Sequence, residues 1–451
     1  MVTTRLTGAI AALLVSAPAL AGAVELSLRP VARPAAVLSV AATDTVTPTT
    51  VVAPANSLRP FKRPQAASST EIGQVSAATQ AGFERWIAEF RPKALNRGIG
   101  AATFDRAFRN VRYDPEVIER DRNQSEFTKT IWTYLETAAS DARIRNGQAA
   151  LRRHGALLDR IEAQYGVDKE IVVAIWGLES AYGTFKGSKP VIQSMATLAY
   201  DGRRRSFFEG QLYAALKILD QGHTAPEAMK GSWAGAMGHT QFMPTSFQSL
   251  AVDHTGDGRR DIWGDDPADA LASTANYLAK NGWRKGLPWG VEVRLPEGFD
   301  YAQANRGIER MPSVWAQRGV LGIDGQPVRD YGVASVLLPA GHEGAAFLVF
   351  RNFAVIERYN TADAYVIGVG HLADRIKGGG PIRSGWPTQD RALTLDERME
   401  LQRRLTARGF DTRGIDGKIG PLTIDAVRGF QRSLGLPPDG YASPRLLNRL
   451  R

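Results

Sequence analysis

From Gln80 onward, apolar residues recur at helical spacing. Phe83, Trp86, Ile87 and Phe90 stand at i, i+3, i+4 and i+7 and make one stripe. Amphipathic stretches of the same kind cover about 115–165, 168–180, 207–220 and 267–281. Alternation, the mark of a half-buried strand, is confined to Gly290-Val-Glu-Val-Arg-Leu295 and to Val333–Leu338. The pattern predicts a mainly α body over 80–378.

Punctuation divides the rest. Gly378-Gly-Gly-Pro381 and Ser384-Gly-Trp-Pro387 mark a linker over 379–390. Beyond it, Thr394-Leu-Asp-Glu397 is a capping box that opens a helix ended by Gly409. A Gly/Asp-rich turn to Pro421 starts a second helix, closed by Gly435, and Ser443-Pro444 starts a third. Residues 391–451 are thus predicted to form a small three-helix module. At the other end, 22–79 is rich in Pro, Ala, Thr, Val and Ser. It repeats Ser27-Leu-Arg-Pro-Val-Ala-Arg-Pro34 as Ser57-Leu-Arg-Pro-Phe-Lys-Arg-Pro64 and reads as a disordered tether. Residues 1–21 combine Arg5, the apolar run Ala9–Val15 and Ala19-Leu-Ala21, the plan of a secretory signal peptide too short to span a bilayer. An exported, periplasmic protein is expected.

Composition narrows the chemistry. The chain has 451 residues, a formal net charge of +10 and no cysteine. Disulfides, thiolate metal sites, a cysteine nucleophile and the acylated cysteine of a lipoprotein are therefore excluded. The module carries twelve Lys/Arg against seven Asp/Glu, half of the chain's positive excess, so an anionic partner is expected there. The six histidines form no H-E-x-x-H pair, and neither a P-loop nor a G-x-S-x-G elbow is present. Nothing points to nucleic acid.

Three segments could carry chemistry. In Asp168-Lys-Glu-Ile-Val-Val-Ala-Ile-Trp-Gly-Leu-Glu-Ser-Ala-Tyr-Gly183, Asp168 can cap an almost wholly apolar helix. Glu179 shares a face with Val172, Ile175 and Trp176 near the helix C-terminus. Desolvation and the negative end of the helix dipole both disfavour its anion, which suits a proton donor. The residues alone leave open a structural carboxylate paired with Arg203 or Arg204. The second segment, Gly231–Ser246, offers small residues for close approach and Gln241 as donor and acceptor, or else an ordinary turn. The third, Asp253-His-Thr-Gly-Asp-Gly-Arg-Arg-Asp261, spaces oxygen ligands as a calcium loop does. It has Gly264 where that pattern wants Glu, so Asp265, Asp266 or Asp269 would supply the missing charge; a plain Asx/Gly turn is the alternative.

Together these residues resemble the membrane-bound lytic murein transglycosylase B family. The match rests on Trp176-Gly-Leu-Glu-Ser-Ala-Tyr-Gly183, Gly235-Ala-Met-Gly-x-x-Gln-Phe-Met-Pro244, the Asp253 loop, Ala275-Asn-Tyr-Leu278 and Arg358-Tyr-Asn360 with Tyr365. Residues 391–451 resemble a peptidoglycan-binding module through Leu401-Gln402, Gly409-Phe410, Asp416-Gly417 and Ala426-Val-Arg-Gly-Phe-Gln431. The resemblance implies a lysozyme-like helical catalytic domain plus a three-helix peptidoglycan-binding domain. It implies cleavage between N-acetylmuramic acid and N-acetylglucosamine, with Glu179 acting as acid and then as base to form a 1,6-anhydro end. It further implies a glycan groove lined by Ser180, Arg203, Arg204, Gln241, Tyr277, Tyr359, Asn360, Tyr365 and Tyr134. The metal residues implied are Asp253, Thr255, Asp257, Arg259 and Asp269, for a structural calcium with no cofactor required by the chemistry. Peptidoglycan strands are the expected partner, cell-wall synthases the protein partners to test for, and a monomer the expected state. A hydrolytic muramidase and an inactive wall-binding scaffold are the competing readings.

Overall fold

The computed structural model describes residues 77–122 and 129–451. The expected signal peptide and nearly all of the expected tether lie outside the described residues. The rest is mainly α, with seventeen α-helices and six short strands.

The amphipathic window at 115–165 resolves into four helices, Pro115–Arg122, Ile131–Ala138, Asp141–Arg153 and Gly155–Tyr165. Local chemistry sets the breaks. The side chains of Thr130 and Ser140 accept from the amides of Thr133 and Arg143 and start two of these helices. The helix Val191–Asp201 escapes a search for amphipathic stripes because eight of its eleven residues are buried. It packs on Arg205–Asp220, and both belong to the large helical core.

One antiparallel sheet joins Leu321–Gly322, Gly290–Arg294, Ala346–Val349 and Ser335–Leu337, in that spatial order. Both expected strands are in it. The strand Ala346–Val349 shows no polar alternation because both faces are covered. Phe347 and Val349 join the helical core, while Ala346 and Leu348 join a second core built around Trp315 and Val320.

The C-terminal module has a third core, centred on Leu401, Leu405, Val427, Phe430 and Leu447. Its helices are Leu395–Ala407, Pro421–Ser433 and Pro444–Leu450, and the capping box of Thr394 and Glu397 is formed in both directions. The stretch 379–390, expected to be a simple linker, is pinned. Glu292 accepts from the amides of Arg383 and Ser384, Trp386 lies 6.4 Å from Trp132, and Asp390 pairs with Arg445.

Candidate active site

The helix Lys169–Ser180 runs through the middle of the body, and every residue from Ile171 to Ser180 is buried. An all-apolar helix has no solvent face, so it can only be central. Asp168 holds the N-cap position but does not cap. Its carboxylate accepts instead from Trp283 Nε1 at 2.8 Å and from the Gly286 amide, which ties the helix start to a distant turn. Gly177, one turn before the helix end, lets Tyr182 fold back; a Cβ there would stand 2.6 Å from the Tyr182 ring. Ala181, Tyr182 and Gly183 then all take positive φ, which ends the helix sharply just after Glu179.

Glu179 is 9% exposed. The Tyr365 hydroxyl donates to its Oε1 at 2.7 Å. The Tyr134 phenol is held well above its ordinary range, first by burial and then by the Glu179 charge. Two phenols from distant parts of the chain thus converge on this carboxyl.

Trp176 is fixed from the second segment. His239 receives the Trp176 indole N–H on Nδ1 at 3.2 Å, and its Nε2 lies 2.7 Å from the Gly264 carbonyl. A ring that accepts at Nδ1 and faces a carbonyl with Nε2 is the neutral Nε2–H tautomer. Burial, the main cause, also lowers the pKa of His239. Gln241, at φ +53°, gives both amide hydrogens to carbonyls, Lys186 O at 3.1 Å and Gly238 O at 2.8 Å. Both neighbours can only accept, so these two bonds fix which end of the amide carries the nitrogen.

Other residues implied by the resemblance hold the frame. Ser180, expected in the groove lining, is wholly enclosed. Its hydroxyl donates to His239 O at 2.5 Å and accepts from the Gly183 amide. Tyr359 is also enclosed, with its hydroxyl on Thr240 O at 2.6 Å. The Tyr277 ring packs tilted against it, centroids 4.8 Å apart, and its hydroxyl donates to Arg358 O. Asn360 accepts from the Ala362 amide in a tight turn. Arg203 and Arg204 both close on Asp121, Arg203 Nε at 2.9 Å and Arg204 Nη2 at 2.5 Å, rather than making the alternative pair considered for Glu179. Asp121 was not legible in the sequence, because an acid in the polar helix Pro115–Arg122 looks like part of a solvated face.

In the third segment, Asp253, Asp257 and Asp269 bring carboxylate oxygens within 4.8 Å of one another. Asp269, near the start of the helix Ala268–Lys280, is the acid that joins this cluster. It accepts from the amides of His254, Thr255 and Asp261. Asp266 instead accepts from the Ala268 amide, and Asp265 lies 3.9 Å from Lys186. Thr255 donates to Asp253, and the Arg259 amide donates to Asp257.

Residues 82–374 match the family described as transglycosylase SLT domain, and 394–450 match the peptidoglycan binding domain family. Membrane-bound lytic murein transglycosylase B of Escherichia coli (strain K12) is 34% identical over 240 residues, 52% of this chain and 63% of the relative. The chain thus spans less than two thirds of that curated relative's length. SltB3 from Pseudomonas aeruginosa, solved with NAG-NAM-pentapeptide and with NAG-anhNAM-pentapeptide, is 53% identical. The match covers 82% of this chain and 99% of that one, with a TM-score of 0.80. A lytic transglycosylase of Escherichia coli solved in complex with calcium is 28% identical, with a TM-score of 0.56 over 66% of this chain and 94% of that one. With its family match covering most of the folded body, the chain belongs to the transglycosylase SLT domain family.

Proposed function

We propose that the protein is a lytic transglycosylase of peptidoglycan, and that Glu179 is its single acid and base. The carrying observation is a buried carboxyl at a helix end, held by the Tyr365 hydroxyl. Burial favours a carboxyl that keeps its proton, and the phenol can stabilise the carboxylate left after donation. Glu179 protonates the oxygen between N-acetylmuramic acid and N-acetylglucosamine. The muramoyl N-acetyl group assists at C1, and Glu179, now a base, takes the proton of the 6-hydroxyl as it closes the 1,6-anhydro ring. One carboxylate thus serves as acid and then as base, in place of the pair used in ordinary glycoside hydrolysis. The relative solved with an anhydro-muramoyl ligand supports the same product.

Arg203, Arg204, Gln241, Tyr277, Asn360, Tyr134 and Tyr365 remain the proposed groove residues, and Ser180 and Tyr359 act as positioning residues behind them. The chain works in the periplasm as a monomer, with peptidoglycan as its partner and cell-wall synthases to be tested by pull-down. Calcium fits the Asp253 loop: three carboxylates converge there, and the cation would offset their repulsion and the burial that pushes Asp269 up. Asp253, Asp257 and Asp269 would hold it, with oxygens of Thr255 and Arg259. Its place is structural.

Digestion of purified sacculi followed by product mass tests the reaction. Products ending in 1,6-anhydro groups are expected; reducing ends alone would mean hydrolysis. Glu179→Gln is expected to lose about 10²–10⁴-fold in rate, and wild-type release by this variant would remove Glu179 from its role. Calcium is expected to raise the Tm of the wild type, and the rise to vanish in Asp269→Asn.

A further inference from the structure

Among the described residues, six large apolar side chains are exposed: Phe185, Val333, Leu395, Ile415, Leu422 and Leu434. Phe185 is the one aromatic residue in that group and, at 58%, its most exposed member. Single exposed apolar side chains are ordinary on protein surfaces; what distinguishes this one is the backbone that carries it.

The loop that carries Phe185 is tightly held. The Phe185 amide donates to Ser180 O at 2.9 Å. Lys186 Nζ donates to Trp263 O at 2.6 Å and Gly264 O at 2.8 Å. The Lys186 carbonyl accepts from Gln241 Nε2. Gly187, at φ +86°, lies so close to the Gly231 backbone that a Cβ would come within 2.2 Å of it. The ring therefore projects from fixed backbone. One side of that backbone is bonded to the residue after Glu179, and the other to the Gln241 amide.

We propose that Phe185 is a sugar platform, on which a pyranose ring of the glycan beside the scissile bond stacks its C–H face. The inference deepens the transglycosylase reading and rests on it. A β-1,4-linked sugar has an apolar face matched to an aromatic ring, and an uncharged ring adds affinity without touching the proton chemistry. Such a contact holds substrate and transition state alike, so its loss raises KM and spares kcat.

The test uses the full chain and its Phe185→Ala and Phe185→Trp variants, with Val333→Ala as an exposed apolar control. Soluble glycan strands of defined length serve as substrate. Phe185→Ala is expected to raise KM about tenfold, the loss of one aromatic contact, with kcat within about twofold and unchanged pH profile and Tm. Phe185→Trp restores KM, and Val333→Ala matches the wild type. A KM in Phe185→Ala equal to wild type, an equal loss in Phe185→Trp, or a fall in kcat with a lowered Tm would each overturn the platform. Titrating a tetramer of N-acetylglucosamine into Glu179→Gln and into Glu179→Gln with Phe185→Ala separates the two readings. Weaker binding in the double variant supports the platform even if wild-type digestion yields no anhydro ends, and equal binding rejects it even if digestion does.

Discussion

At the scale of single residues, the geometry around Glu179 makes the Tyr365 hydroxyl the group to remove. It donates to the carboxyl and favours the carboxylate. In Tyr365→Phe the acid should keep its proton to higher pH, so the alkaline limb of the kcat profile moves upward while the rate falls by roughly tenfold, the scale of one hydrogen bond to a charged group. An unmoved limb would show that the hydroxyl only packs. Glu179 itself was legible, because a lone carboxylate in an apolar helix face is conspicuous in any sequence. Ser180 and Tyr359 were legible as positions but not as roles. A motif preserves a place in the chain, and only packing decides whether a hydroxyl faces the groove or, as here, the carbonyl of His239 or Thr240.

At the scale of elements, the fully buried helix Lys169–Ser180 was legible from its long apolar run, but two shorter covered elements were not. Val191–Asp201 and Ala346–Val349 are covered on all sides and carry no alternation to detect. The helix Asp363–Lys377, which brings in Tyr365, carries an opposed pair. Burial pushes Asp374 up to about 6, against the weaker opposing effects of the Trp289 hydrogen bond and Lys377. Burial also lowers His371 to about 4. For Asp374 the folded state binds its proton more tightly, so stability falls as pH rises from about 4 to 6. For His371 the folded state binds its proton less tightly, so stability rises from about 4 to 6.5. The two slopes oppose each other in the wild type. Asp374→Asn should therefore show a Tm that climbs over this window, and His371→Gln a Tm that falls. Identical pH profiles of Tm in all three proteins would count against both burials.

At the scale of the whole molecule, the division into body and module was legible, since caps and glycines punctuate the module plainly. Their docking was not, because it uses residues scattered over both. Asp439 accepts from the His342 amide and lies 2.6 Å from His342 Nδ1, while also accepting from Gln431 and the Tyr441 amide. Arg445 spans Glu343 and Asp390, and buried Arg428 donates to Ala304 O at 2.5 Å. Exposed ion pairs contribute little, so Glu343→Ala should leave the junction closed. Arg428→Ala removes a buried donor and leaves the Ala304 carbonyl in need of a partner. Limited proteolysis within 379–390 should then quicken and the radius of gyration rise; an unchanged digestion pattern would show that the remaining contacts suffice.

That docking has a mechanical consequence. Twelve free residues would let a tethered domain wander over a root-mean-square distance of about 20 Å, and its hold on a wall strand would say nothing about where the cut falls. Instead, Glu292, Trp132 and Arg445 tie 379–390 down along its length. On the proposed function, grip and blade would then keep a set spacing, as the jaws of a caliper do, and the cut would fall at a fixed length from the hold.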